Sequence, residues 1–173
     1  MPRDTDAPGW PARRALGLAL VVGAAVMALD QAVKWLMIGY VMQPPRVIEV
    51  TGFFNLVLTY NTGVSFGLFR GAGPWRAWIL VAVALAVVAG LLAWLGRQPR
   101  PQPLLAVAVG VVVGGALGNV IDRLHGPGVI DFLDFHVAGW HWPAFNLADS
   151  AIALGVGLIV LDGLFSAPRG CKT

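Results

Sequence analysis

Four of the nine acidic residues of this chain, Asp122, Asp131, Asp134 and Asp149, fall in one stretch, residues 114–150, which reads GGALGNVIDRLHGPGVIDFLDFHVAGWHWPAFNLADS. Long apolar runs flank it on both sides. A charge at the centre of a bilayer helix costs about 2.5–3.5 kcal/mol on insertion scales, so acids placed against a membrane are candidates for function. Two carboxylates brought together cannot both ionise easily. One keeps a proton, and the pair can then activate water and polarise a carbonyl without a metal or a nucleophilic Ser or Cys. Asp131 and Asp149 are the pair expected here. Asp131 is read as lying in a loop after Gly126-Pro127-Gly128, and Asp149 as opening the next helix. The positive end of that helix favours Asp149 as the anion and leaves the shared proton to Asp131. An acid in a first turn can also do no more than compensate the helix dipole, and that alternative stays open at this point.

Other residues have spacings that would let them serve such a pair. Asn119, Asp122 and Arg123 lie three and four positions apart and share one helix face. Asp30 and Lys34 are an i,i+4 pair with the acid first, the favourable order, and read most simply as an ion pair that lets charges live at a membrane edge. Asp122-Arg123 can equally mark such an edge. Asn61 and Gly63 sit in N-T-G, a tight turn or a loop pressed against something. Asn146 is placed to cap the helix that carries Asp149. Asp134 reads as a solvated or locally paired neighbour, and Asp162 has no evident role. His125, His136 and His141 form no H-E-x-x-H, and Cys171 is the single cysteine, so no metal site, disulfide or cofactor is expected.

The elements that must position these groups follow from composition. The chain of 173 residues is 57% hydrophobic and 12% charged, with a mean hydropathy of +0.73. Soluble domains carry about 25% charged residues, so lipid must cover part of this surface. Four spans are expected, at 15–38, 75–95, 104–121 and 145–165, each near the length that crosses a bilayer core. The third has G-x-x-x-G spacings at Gly110, Gly114 and Gly118 that allow close helix approach. Residues 1–14 read as a polar tail and 122–144 as a loop. Within 39–74, Val47–Val50 and Phe53–Tyr60 read as two strands around Thr51-Gly52. The fold class is therefore an all-α membrane protein of four transmembrane helices with a small β-sheet, in a single domain.

Lys and Arg set the orientation. Arg3, Arg13, Arg14, Arg97, Arg100, Arg169 and Lys172 fall on the side of the termini, against Lys34, Arg46, Arg70, Arg76 and Arg123 on the other. The excess puts both termini inside and the acids outside. The net charge of +3 reflects these helix ends, and no basic run interleaved with aromatics suggests nucleic acid. Trp10, Trp75, Trp140 and Trp142 read as interfacial anchors. Two other functions would use buried acids or glycine faces: an ion or proton relay, which predicts flux, and a scaffold, which tolerates loss of the acids. Clustering of the acids at one mouth argues against the relay.

Five ordered motifs give a more specific reading. They are Asp30-Gln31-x-x-Lys34, Asn61-x-Gly63-x-Ser65-Phe66, Gly118-Asn119-x-x-Asp122-Arg123, Val129-Ile130-Asp131-Phe132 and Phe145-Asn146-x-Ala148-Asp149-Ser150. In this order, between four spans, they resemble the bacterial lipoprotein signal peptidases, or signal peptidase II. The resemblance implies an aspartic endopeptidase of the bacterial inner membrane that cleaves a diacylglyceryl-modified prolipoprotein just before its lipidated cysteine. It maps the catalytic dyad to Asp131 and Asp149. Asn61, Asn119, Arg123 and Asn146 map to the lining of the site, Asp30, Lys34 and Asp122 to its support, and the sheet to an extracytoplasmic β-cradle. The partners implied are the lipidated substrate and membrane lipid, and nothing requires more than a monomer.

Overall fold

The computed structural model describes residues 9–63 and 75–166. Ser65 and Phe66 of the second motif, Arg70, most of the N-terminal tail and the C-terminal tail with Arg169, Cys171 and Lys172 lie outside them. Among the described residues, four helices long and apolar enough to cross a membrane form the body. They are α1 (Ala12–Leu36), α2 (Trp75–Arg97), α3 (Pro103–His125) and α4 (Leu147–Ser166). Pro11 precedes α1 and Pro103 opens α3, where a missing N–H costs nothing because no helical partner exists for it. At its far end α1 runs on through a π-helical turn, Met37–Val41. The first span is thus longer at both ends than the 15–38 expected.

Helix α3 is the centre. Of its most apolar window 72% is buried, against 17% for each of the other three, whose Leu, Val and Ile side chains face outward. Glycine explains how so many helices reach it. A Cβ added to Gly110 would stand 2.6 Å from the Ala19 carbonyl oxygen, and one on Gly114 2.5 Å from that of Gly23. The i,i+4 stripe therefore lies against α1, while Gly115 lies against Ala148 of α4. Ala15, Ala19, Val88, Leu95, Val109 and Val113 fill the remaining core.

The sheet has four antiparallel strands in the order β1 (Ile48–Thr51), β2 (Phe54–Asn61), β3 (Val129–Val137), β4 (Trp140–His141). The first two match the expected pair closely. The other two correct the expectation of a loop over 122–144: Asp131 stands on a strand, opposite Thr59. Asp131 and Asp134, three residues apart and so on opposite faces, are both buried, and this breaks the simple polar–apolar alternation that identifies a half-buried strand. Phe132, Met37 and Met42 pack with Leu56, Leu58 and Leu147, joining the sheet to the helix ends.

Candidate active site

The site grows from the start of α4. The Asp149 backbone N–H donates to Asn146 Oδ1 at 2.9 Å, and the Asn146 N–H donates to Asp149 Oδ2 at 3.3 Å. This reciprocal arrangement is a capping box with Asn at the cap and Asp three residues on. It satisfies two backbone donors and also holds Asp149 in one place. Its other oxygen, Oδ1, accepts from Asn119 Nδ2 at 2.8 Å. Asn146, fully buried, turns its Nδ2 toward Asp131 Oδ1 at 2.8 Å and Asn119 Oδ1 at 3.2 Å. Two asparagines from different segments thus hold the two acids that the sequence singled out.

A charged layer supports this frame. Lys34 Nζ lies 2.8 Å from Asp30 Oδ2, 2.7 Å from Asp122 Oδ2 and 3.1 Å from Asn119 Oδ1. Asp30 Oδ1 accepts the Ala148 N–H at 2.9 Å and so secures the first turn of α4 to α1. Asp122 also accepts Gln31 Nε2 at 2.8 Å and the Ile130 N–H at 3.2 Å, which ties β3 to α3. The expected Asp30–Lys34 ion pair is present, but Asp30, Lys34 and Asp122 are all buried, so Asp122 joins the pair in a triad inside the protein rather than marking an edge with Arg123. Burial leaves a carboxylate no water to lean on, so each needs a cation or donor, and each has one.

Asp131 is only 2% exposed. Burial, with the nearby charge of Asp149, pushes its carboxyl up to about 6, against hydrogen bonds from Asn61 and Asn146 and the Lys34 charge, which pull it down. Asn61 itself forms a turn in which its Oδ1 accepts the Gly63 N–H at 3.1 Å. A cavity of about 670 Å³ opens beside this network, lined by Asn61, Gly63, Leu80, Arg123, residues 140–145 and Asp149. Arg123 is braced by its own helix, Nη1 donating to the Asn119 carbonyl at 3.1 Å. Asp149 faces the cavity directly, whereas Asp131 stands just behind its wall.

The residues assigned to the site from sequence therefore meet at one end of the bundle: Asp30, Lys34, Asn119, Asp122, Asp131, Asn146 and Asp149 in one hydrogen-bonded network, Asn61, Gly63 and Arg123 at the cavity. Sequence reasoning gave no role to Gln31, to His141 or to the cavity face of Trp140 and Trp142, which it read as membrane anchors. The run H-W-P-A-F-N, leading straight into the cap of α4, was the available signal.

Four membrane-capable helices with a buried polar site and a sheet at one end define a multi-pass membrane protein built to do chemistry at the end of its bundle. The family model described as signal peptidase (SPase) II matches residues 22–165. A lipoprotein signal peptidase of Azoarcus sp. (strain BH72) is 46% identical over 157 residues, covering 91% of this chain and 88% of its own. Another, of Paraburkholderia phytofirmans (strain DSM 17436 / LMG 22146 / PsJN), is 48% identical over 150 residues, covering 86% and 83%. A solved bacterial membrane enzyme superposes with a TM-score of 0.75 at 26% identity, covering 91% of this chain and 94% of that one. The chain belongs to the signal peptidase II family.

Proposed function

We propose that this chain is an aspartic endopeptidase that removes the signal peptide from diacylglyceryl-modified prolipoproteins, cutting just before the lipidated cysteine. The observation that carries this reading is the frame of Asn146 and Asn119, which holds Asp131 and Asp149 by 2.8 Å hydrogen bonds beside one cavity. With all groups ionised, Asp30, Asp122, Asp131 and Asp149 would outnumber Lys34 and Arg123 two to one. A proton shared by the dyad reduces that imbalance, which agrees with the raised carboxyl of Asp131.

In the reaction, Asp149 as the anion takes a proton from water while Asp131 donates its proton toward the scissile carbonyl oxygen. Water oxygen bonds to the carbonyl carbon and gives a neutral tetrahedral diol. Collapse breaks the C–N bond, with the proton held by Asp149 passing to the leaving nitrogen and one diol proton returning to Asp131. Titration of the dyad is a property of the pair. Arg123 and Asn61 line the same cavity and position the polypeptide. The apolar outer faces of the helices let signal peptide and acyl chains remain in lipid throughout.

The protein works as a monomer in the bacterial inner membrane, with its termini cytoplasmic and its sheet and cavity on the outer side, as the Lys and Arg distribution favours. Purified protein incubated with diacylglyceryl-modified prolipoprotein tests the reading. Wild type releases the signal peptide, and Asp131→Asn and Asp149→Asn, with unchanged helical content, each lose about 10³-fold or more in rate. Processing that survives either substitution would rule out the dyad.

A further inference from the structure

Among the described residues that line the cavity is His141, on β4, a polar side chain whose hydrogen-bond partner lies outside the network around the dyad. Its Nδ1 lies 2.9 and 3.0 Å from the two oxygens of Asp134. Asp134 is buried on β3 and also accepts Asn55 Nδ2, from the neighbouring β2, at 3.0 Å. Burial pushes the Asp134 carboxyl up, but the hydrogen bonds from His141 and Asn55 outweigh it and hold it below the usual carboxylate value. A carboxylate only accepts, so Nδ1 of His141 carries the hydrogen, and in the neutral ring Nε2 presents a lone pair. The His141 ring stacks on that of His136, centroids 5.0 Å apart, which fixes its plane from the other side. Its side chain is nevertheless 53% exposed. A strand-borne imidazole, held at one nitrogen and stacked on one face, is thus more than half exposed in the wall of the cavity.

We propose that His141 is a substrate-binding residue, whose Nε2 accepts a hydrogen bond from a backbone N–H of the substrate polypeptide near the cleavage site, and that Asp134 is the residue that positions it. This rests on the peptidase reading above. The chemistry selects the peptide part of the substrate: a diacylglyceryl group offers ester oxygens, which are acceptors, and no N–H. Trp140 and Trp142, on either side of His141 and lining the same cavity, supply apolar walls against which an extended chain can lie.

The test is a set of variants assayed with diacylglyceryl-modified prolipoprotein peptides. His141→Phe keeps a ring for His136 but has no acceptor, and KM rises about three- to tenfold, the worth of one hydrogen bond, while kcat stays within about twofold. His141→Gln can still present an acceptor oxygen and restores most of the wild-type KM. Peptides N-methylated at one residue flanking the cleavage site at a time locate the donor. One of them raises KM for wild type and causes no further rise for His141→Phe. An unchanged KM in His141→Phe, a fall in kcat alone, or failure of Gln to outperform Phe would overturn the proposal. If the Phe variant does not fold, His141→Asn, too short to reach, is compared with Gln to the same end. Failure of wild type to cleave the lipid-modified peptide would instead refute the peptidase reading.

Discussion

Replacing Asn146 by Ala tests the frame that holds the dyad. The buried amide serves three partners: it accepts the Asp149 N–H at 2.9 Å and donates to Asp131 Oδ1 at 2.8 Å and Asn119 Oδ1 at 3.2 Å. Loss of the cap costs about 1 kcal/mol. Leaving Asp131 short of a donor in a dry site costs about 1–3 kcal/mol more, so unfolding free energy should drop by about 2–4 kcal/mol. The change in pH dependence is the sharper measurement. Asp131 stands at about 6 because burial and Asp149 raise it, while Asn61 and Asn146 restrain it. Without one restraint worth about 1 kcal/mol, the carboxyl keeps its proton to a pH higher by about 0.7 unit. In wild type, kcat/KM should decline as pH rises through about 6, where the shared proton is lost. In Asn146→Ala that limb should move to higher pH, on a rate lowered about 10²-fold by misplacement of the acids. Initial rates of signal-peptide release from pH 4.5 to 9, with thermal unfolding followed in the same buffers, measure both effects. A limb that stays put or moves to lower pH while the rate falls would refute the assignment of the titrating group and of its donor.

Three further outcomes follow from the same contacts. Lys34→Met strands Asp30 and Asp122 as buried, unpaired carboxylates and should cost about 3–5 kcal/mol, part of it regained when Asp30→Asn is added; chemical unfolding in detergent reads both. The Asp131 carboxyl, raised in the folded state, contributes stability that is complete below its unfolded value near 4 and is lost as pH rises through about 6. Asp131→Asn should therefore flatten the fall in melting temperature over that window, by on the order of 3 kcal/mol in the underlying free energy. Gly114→Ala puts a methyl 2.5 Å from the Gly23 carbonyl oxygen and should destabilise by about 1–3 kcal/mol, whereas Gly157→Ala, with open space around it, should be neutral or stabilising by about 0.5–1 kcal/mol. Equal melting shifts for the two glycine variants would refute the close packing of α1 on α3.

The spans were legible because uninterrupted apolar runs leave few alternatives, and the G-x-x-x-G stripe of α3 announced a helix that others crowd. The cap by Asn146 was legible too, since Asn146 and Asp149 are three residues apart and their contact is local, whereas the return bond from the Asn146 N–H to Asp149 came only with the structure. What sequence could not give was the partner of each long-range contact. Lys34 looked settled by Asp30 on its own helix, and nothing local told that Asp122, 88 positions on, would lie closer. Strand β3 was missed because its two buried acids, on opposite faces, are satisfied by groups from elsewhere, Asn146 for Asp131 and Asn55 for Asp134. Likewise, a tryptophan reads as a membrane anchor from composition, and only the fold tells that Trp140 and Trp142 also wall a cavity.

The buried triad invites the question of why charges stand where apolar residues would serve stability as well or better. Direction is the answer the hydrogen bonds support. An ammonium can only donate, and the three N–H groups of Lys34 meet Asp30, Asp122 and Asn119 Oδ1. With its oxygen drawn to Lys34, Asn119 must turn its NH₂ to Asp149; flipped, it would set NH₂ against a cation and oxygen against a carboxylate. The Asp149 N–H fixes the oxygen of Asn146 in the same way, so that its NH₂ reaches Asp131. An apolar layer of equal volume could hold the helices together, yet it would take from the Asn119 oxygen its charged donor and leave Asn146 Nδ2 as the remaining one. The buried Lys34 charge and the Asp149 N–H together thus favour the orientation in which both carboxylates receive donors, and so keep the two acids in place before substrate arrives.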